Sequence, residues 1–200
     1  MATWLAFSGD YHEALLLIII GAVFDFFDGM TARLLHVSSP IGKELDSLAD
    51  VITFGFAPSA IVFSFISSFH IHHPLLPFLA FFMAAFSALR LAKFNLDERQ
   101  TLGFIGLPTP ANALFWGGLV AWMNWQVCFE PYQLPTYYLY MVLALLPLSC
   151  FLLVSEIPMF ALKFKTWGWR GNEVKYIFVL TCIPLLLLLG TLGLAAAIAW

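Results

Sequence analysis

Residues 25 to 50 read DFFDGMTARLLHVSSPIGKELDSLAD and set Asp25, Asp28, Asp46 and Asp50 in surroundings that are otherwise largely apolar. On a helix, a spacing of three brings Asp25 and Asp28 onto one face, and a spacing of four does the same for Asp46 and Asp50. Two helices would then aim paired carboxylates at each other. Such charges are costly beside lipid unless a cation holds them together. A structural ion-pair cluster is the plain alternative, but Arg33 is the only base built into the set and cannot neutralise four acids. Oxygen donors without Cys or His suit Mg²⁺ or Mn²⁺, ions that commonly join carboxylates to substrate phosphates. A pair of divalent ions is therefore expected, with Arg33 as a phosphate-pairing cation. Gly29, Ala32 and Gly42 keep side-chain bulk away from the carboxylates.

The elements that must position these groups are membrane helices. Of 200 residues, 62% are hydrophobic and 10% charged, with a mean hydropathy of +0.89, whereas a soluble domain is apolar over about half its residues. The fold class is all-α, a multi-pass transmembrane bundle. Apolar stretches of spanning length fall at about 13 to 36, 40 to 68, 75 to 95, 107 to 127, 136 to 156 and 174 to 200, which gives six expected spans. Pro184, Gly190 and Gly193 could kink or break the last, which is otherwise taken as one span. Ser39 is suited to cap a helix beginning at Pro40, so residues 13–68 form a tight hairpin that carries all four aspartates. The nine basic residues, Arg33, Lys43, Arg90, Lys93, Arg99, Lys163, Lys165, Arg170 and Lys175, all fall on one side under this alternation. The positive-inside rule assigns that side, and the carboxylates with it, to the cytoplasm.

Several other features carry little chemistry. The net charge of −3 comes with no basic patch, so nucleic acid is not an expected partner. Cys128, Cys150 and Cys182 have neither metal-site nor disulfide-framework spacing. The N-terminus lacks the basic start of a cleavable signal peptide. His70, His72 and His73 lie on the side opposite the carboxylates and read as a solvated loop. Pro108 and Pro110 suit a helix entrance, and Glu156 a capped or solvated span end. Arg90 and Lys93, three apart in ALRLAKFN, could bind an anion, either a lipid phosphate or an acceptor carboxylate, or could equally be snorkelling anchors.

The hairpin resembles the signature of the CDP-alcohol phosphatidyltransferase family at each of eight positions: Asp25, Asp28, Gly29, Ala32, Arg33, Gly42, Asp46 and Asp50. The segments GKELDSLADVITFGFAPS, ALRLAKFN, GFIGLPTPAN and SEIP are similar to the serine-using bacterial and archaeal members, which extends the resemblance over most of residues 15 to 165. The resemblance implies a single membrane-embedded domain over 1–200 that transfers the phosphatidyl group of CDP-diacylglycerol to the hydroxyl of L-serine and releases CMP. It also implies two divalent ions, Mg²⁺ or Mn²⁺, with Asp25 and Asp46 bridging both, Asp28 completing the nucleotide-side site and Asp50 the other. Asp50 is the implied base, and Gly29, Arg33, Ser39 and Gly42 belong to the substrate-binding set. Family members usually carry one more helix before the first Asp pair, and MATWLAF looks like its tail end. A homodimer in the cytoplasmic membrane is expected. The eight positions serve glycerol 3-phosphate and inositol phosphate acceptors equally, so the serine expectation rests on the flanking segments. A divalent-cation transporter would instead be expected to show broken helices or repeated halves around a midplane site.

Overall fold

A backbone beside lipid must satisfy its own hydrogen bonds, which leaves helices as the outcome for the long apolar stretches of this chain. The computed structural model describes residues 1–35, 39–69, 73–96, 104–129, 135–159 and 173–199. Within them, α1 (Ala2–Ser8) ends at Gly9 and is followed by α2 (Tyr11–Leu35). Next comes α3 (Pro40–Asp50), which runs without a break through a π-helical segment, Val51–Phe56, into α4 (Ala57–Ser67). A short 3₁₀ turn, Leu76–Ala80, leads into α5 (Phe81–Leu96). The remaining helices are α6 (Thr109–Phe129), α7 (Thr136–Val154), α8 (Glu173–Leu189) and α9 (Thr191–Ala199). The all-α expectation meets one small departure: two-residue strands β1 (Phe104–Ile105) and β2 (Pro158–Met159) pair antiparallel.

Four spans are long and apolar enough to cross a membrane among the described residues: Tyr11–Ala32, Pro40–Ser67, Leu76–Leu96 and Thr136–Val154. They match the expected first, second, third and fifth. The fourth corresponds to α6, whose 21 residues would cover about 30 Å. It is less apolar because protein, rather than lipid, surrounds much of it. Helix α6 packs against α2, α4 and α9, buries Trp116 completely and satisfies that indole N–H on Ser149 Oγ at 3.1 Å. Its paired glycines admit the neighbours. A Cβ on Gly117 would meet Leu15 Cδ1 at 2.8 Å, and one on Gly118 would meet the Thr191 carbonyl oxygen at 2.6 Å.

The last stretch corrects the expectation of one span over 174–200. Pro184 stays inside α8, and the break comes at Gly190, whose φ of 57° is left-handed. The chain then folds α9 against α8 and α6. A Cβ on Gly193 would clash with the Leu185 backbone, so a small residue there permits the close return.

The connections place both ends of the bundle. Lys43 Nζ donates to the Asn95 carbonyl at 3.4 Å, Lys93 Nζ to the Val154 carbonyl at 3.4 Å, and Leu107 N to the Leu152 carbonyl at 3.0 Å. The start of α3, the ends of α5 and α7 and the entry to α6 therefore share one end. Tyr11 Oη donates to Ser64 Oγ at 3.3 Å, and His12 meets the Trp125 ring edge-on, at the other. His73 is exposed near that far end, as expected for a solvated loop. His70 and His72 lie outside the described residues, as do most of the connections carrying Arg99 and residues 163–170.

Candidate active site

The hairpin brings its carboxylates together across the gap between α2 and α3. One carboxylate oxygen from each of Asp25, Asp28 and Asp46 lies within 4.8 Å of the others. Asp25 is half-buried, whereas Asp28 and Asp46 are exposed on the open side of the cluster. Asp50 stands one turn beyond Asp46, in hydrogen-bonding contact with Asp25 and within electrostatic range of Asp46 and Asp28. Among the described side chains, which do not include that of Arg33, none of the four pairs with a Lys or Arg. The donor set is all carboxylate, open on one side and strongly anionic. Such a site fits a hard divalent cation that keeps water or phosphate oxygens in its remaining positions.

Local rules explain how α3 is placed. Ser39 has extended backbone angles, φ −133° and ψ 146°, and its Oγ accepts from Gly42 N at 3.0 Å, with Pro40 in the first turn. A Cβ on Gly42 would lie 2.9 Å from that same Oγ. A larger residue there would require the Ser39 hydroxyl to shift slightly, an adjustment that helix caps with a side chain at this position make. At its other end, α3 passes into the π-helical turn immediately after Asp50. Wide turns of this kind are frequent at functional sites. This one packs on α5, where a Cβ on Gly55 would sit 3.1 Å from Ser87 Cβ.

The other expected site residues divide. Gly29 lies on α2 directly after Asp28, half-buried. Arg33 is in the last turn of α2, and its side chain lies outside the described ones. Arg90 and Lys93 do not share a face. Arg90 turns inward and is only 7% exposed, near Asp50. Lys93 reaches outward to the end of α7, where Glu156 Oε1 stands 3.8 Å away. Glu156 is itself exposed, as expected of a solvated span end, and this contact is its one described ion pair.

Sequence reasoning missed the bracing between α3 and α5. Asn95 Nδ2 donates to Ser47 Oγ at 2.9 Å, and Ser47 Oγ in turn donates to the Lys43 carbonyl at 3.1 Å. Together with the Lys43 contact to Asn95, these bonds fix the helix bearing Asp46 and Asp50 against the helix bearing Arg90. The signal available was two polar residues, Ser47 and Asn95, within segments already singled out for resemblance.

The CDP-alcohol phosphatidyltransferase family model matches residues 1–200. The chain is 43% identical over 105 residues to the CDP-diacylglycerol–serine O-phosphatidyltransferase of Bacillus subtilis, covering 50% of this chain and 56% of that protein. It is 37% identical over 116 residues to the Helicobacter pylori protein of the same name, covering 57% and 48%. Against the Saccharomyces cerevisiae protein of that name it is 42% identical over 104 residues, covering 46% and 36%. The matches thus span about half the length, or less, of these relatives.

Proposed function

The chain belongs to the CDP-alcohol phosphatidyltransferase family, and from that premise we propose that it transfers the phosphatidyl group of CDP-diacylglycerol to the hydroxyl of L-serine, giving phosphatidylserine and CMP. The observation that carries the reading is the convergence of Asp25, Asp28 and Asp46, with Asp50 beside them, at one end of a membrane bundle. The serine acceptor is supported by the names of the relatives above.

Divalent ions, Mg²⁺ or Mn²⁺, would be held by Asp25, Asp28, Asp46 and Asp50 and would supply charge neutralisation for the diphosphate and the departing CMP. The chain's own groups do the rest. Asp50 takes the proton of the serine hydroxyl as its oxygen bonds to the β-phosphorus and the bond from that phosphorus to the CMP oxygen breaks. Arg33 pairs with the diphosphate, a geometry its forked guanidinium suits. Gly29 lets the nucleotide approach the α2 backbone. Ser39 and Gly42 shape the start of α3 beside the cytidine end. The exposed faces of α2 carry Phe24, Phe26 and Phe27, so the acyl chains can stay in lipid while the head group reaches the carboxylates.

The decisive assay incubates purified protein with CDP-diacylglycerol and Mn²⁺ or Mg²⁺ and follows CMP release with L-serine, glycerol 3-phosphate or inositol phosphate added singly. Release with serine alone is expected. Release with either phosphate acceptor but none with serine would reassign the substrate.

Orientation is the second element of the reading, with the carboxylates facing the cytoplasm of the cell membrane. The bonds that gather Lys43 and Lys93 at the carboxylate end support it through the distribution of basic residues. In a background with the three native cysteines replaced, His72→Cys is expected to react with an impermeant thiol reagent in sealed cells, and Lys165→Cys only after lysis. The reverse pattern would overturn the orientation.

A further inference from the structure

Arg90 is a buried cation with no anion paired to it among the described residues. It is 7% exposed on α5, its Nε has no hydrogen-bond partner, and among the described residues its guanidinium forms no ion pair. The contacts that surround it are the Phe94 ring, 5.9 Å away, and the field of Asp50. An arginine desolvated to this degree is costly unless its donors are met. Asp50, whose field reaches it, forms no ion pair with it among the described side chains, so the implied base and this buried guanidinium lie near each other without pairing. Ser87, one turn earlier on α5, is fully buried with an Oγ that also lacks a partner. It packs against Gly55, which follows Asp50 by five residues, so α5 is seated firmly on the segment that carries the base.

We propose that Arg90 receives the carboxylate of an amino-acid acceptor, and so selects an α-amino acid over a polyol while presenting its hydroxyl to Asp50. The assignment rests on the functional reading above and deepens it. In serine only two carbons separate the hydroxyl from the carboxylate, so a cation and a base that lie near each other without pairing can hold both ends. The charge pattern favours a zwitterion. Its carboxylate meets the guanidinium, a charge-assisted contact, and its ammonium lies toward the carboxylates of Asp50 and Asp25. A phosphate held by the same guanidinium would set two negative charges near Asp50 with no ammonium to offset them. The diphosphate has its own place at the three-carboxylate cluster.

The test measures initial rates for wild type, Arg90→Gln and Arg90→Lys with L-serine, L-serine amide and 2-amino-1,3-propanediol. CDP-diacylglycerol binding and thermal unfolding are measured alongside. The wild type is expected to prefer serine strongly over the two acceptors that lack a carboxylate. In Arg90→Gln the KM for serine should rise on the order of 100-fold, the effect of losing a buried charged contact. The KM for CDP-diacylglycerol should stay near the wild-type value and the preference for serine over its amide should collapse. Arg90→Lys should recover part of that preference. Equal losses on all three acceptors, lost CDP-diacylglycerol binding, or an undiminished preference for serine would each overturn the assignment. If Arg90→Gln does not fold, the same comparison in Arg90→Lys decides. A wild type that releases CMP with glycerol 3-phosphate and not with serine overturns the functional reading itself. That result differs from failure of Arg90 alone, in which the wild type uses serine and the variants discriminate as well as it does.

Discussion

Asp46→Ala is expected to abolish CMP release with every acceptor, and Asp25→Ala to do the same. Each residue contributes an oxygen to the cluster in which three carboxylates converge within 4.8 Å, and on the reading proposed above each would be shared between both ions. Removing one shared ligand therefore disables both halves of the site, whereas removing Asp28 or Asp50 strikes one half. Asp46 is exposed on α3, and the cap at Ser39 and the brace from Asn95 to Ser47 do not depend on it. The variant should fold, and near-wild-type thermal unfolding is part of the expected result. The check is CMP release across a titration of Mn²⁺ or Mg²⁺. Turnover near wild type at the same metal concentration, in either variant, would refute the shared-ligand assignment.

Asp50→Asn separates binding from chemistry. The amide keeps the size of the side chain and one oxygen, and it can still donate a hydrogen bond to Asp25, which Asp50 contacts. It cannot accept the serine proton, as the carboxylate would on the proposed reading. CDP-diacylglycerol should still bind through Asp25, Asp28, Arg33 and the nucleotide-side ion. Turnover should fall by at least ~10²-fold, typical of a lost general base. Raising the metal concentration should not restore it, which distinguishes a missing base from a weakened ligand. Affinity for the lipid nucleotide is measured beside the rate, and full turnover with serine would remove Asp50 from the mechanism.

What could be read from the chain was whatever local chemistry dictates. The cap at Ser39, Pro40 in the first turn and the facing of Asp25 and Asp28 toward Asp46 follow from rules spanning a few residues, and the structure has them. What depends on a neighbour's surface could not be read. Arg90 and Lys93 are three apart, yet one is enclosed and the other pairs with Glu156, because α7 ends beside only one of them. The break after α8 falls at Gly190 rather than Pro184, since a proline can be carried within a helix while a left-handed turn cannot. Helix α6 is less evenly apolar than the other spans, and among its polar and aromatic residues Thr109, Asn112 and Trp116 are buried against protein. How closely Gly42 approaches the Ser39 hydroxyl could be seen only once that side chain was placed.

The π-helical turn at Val51–Phe56 has a consequence for how the chain can change in length. A turn closed from i to i+5 absorbs about one residue more than an α-turn does, so the helices on either side keep their faces despite the surplus. The span from Pro40 to Ser67 therefore contains its own expansion joint. Losing one residue there, such as the exposed Ile52, can be healed by reverting to an ordinary α-turn with Asp46 and Asp50 still turned toward α2. Losing one residue elsewhere between Asp46 and Ser67 has no such slack, and rotates one half of the helix by about 100° relative to the other. Substitution is the tolerated kind of change along most of this span, and indels are confined to one turn.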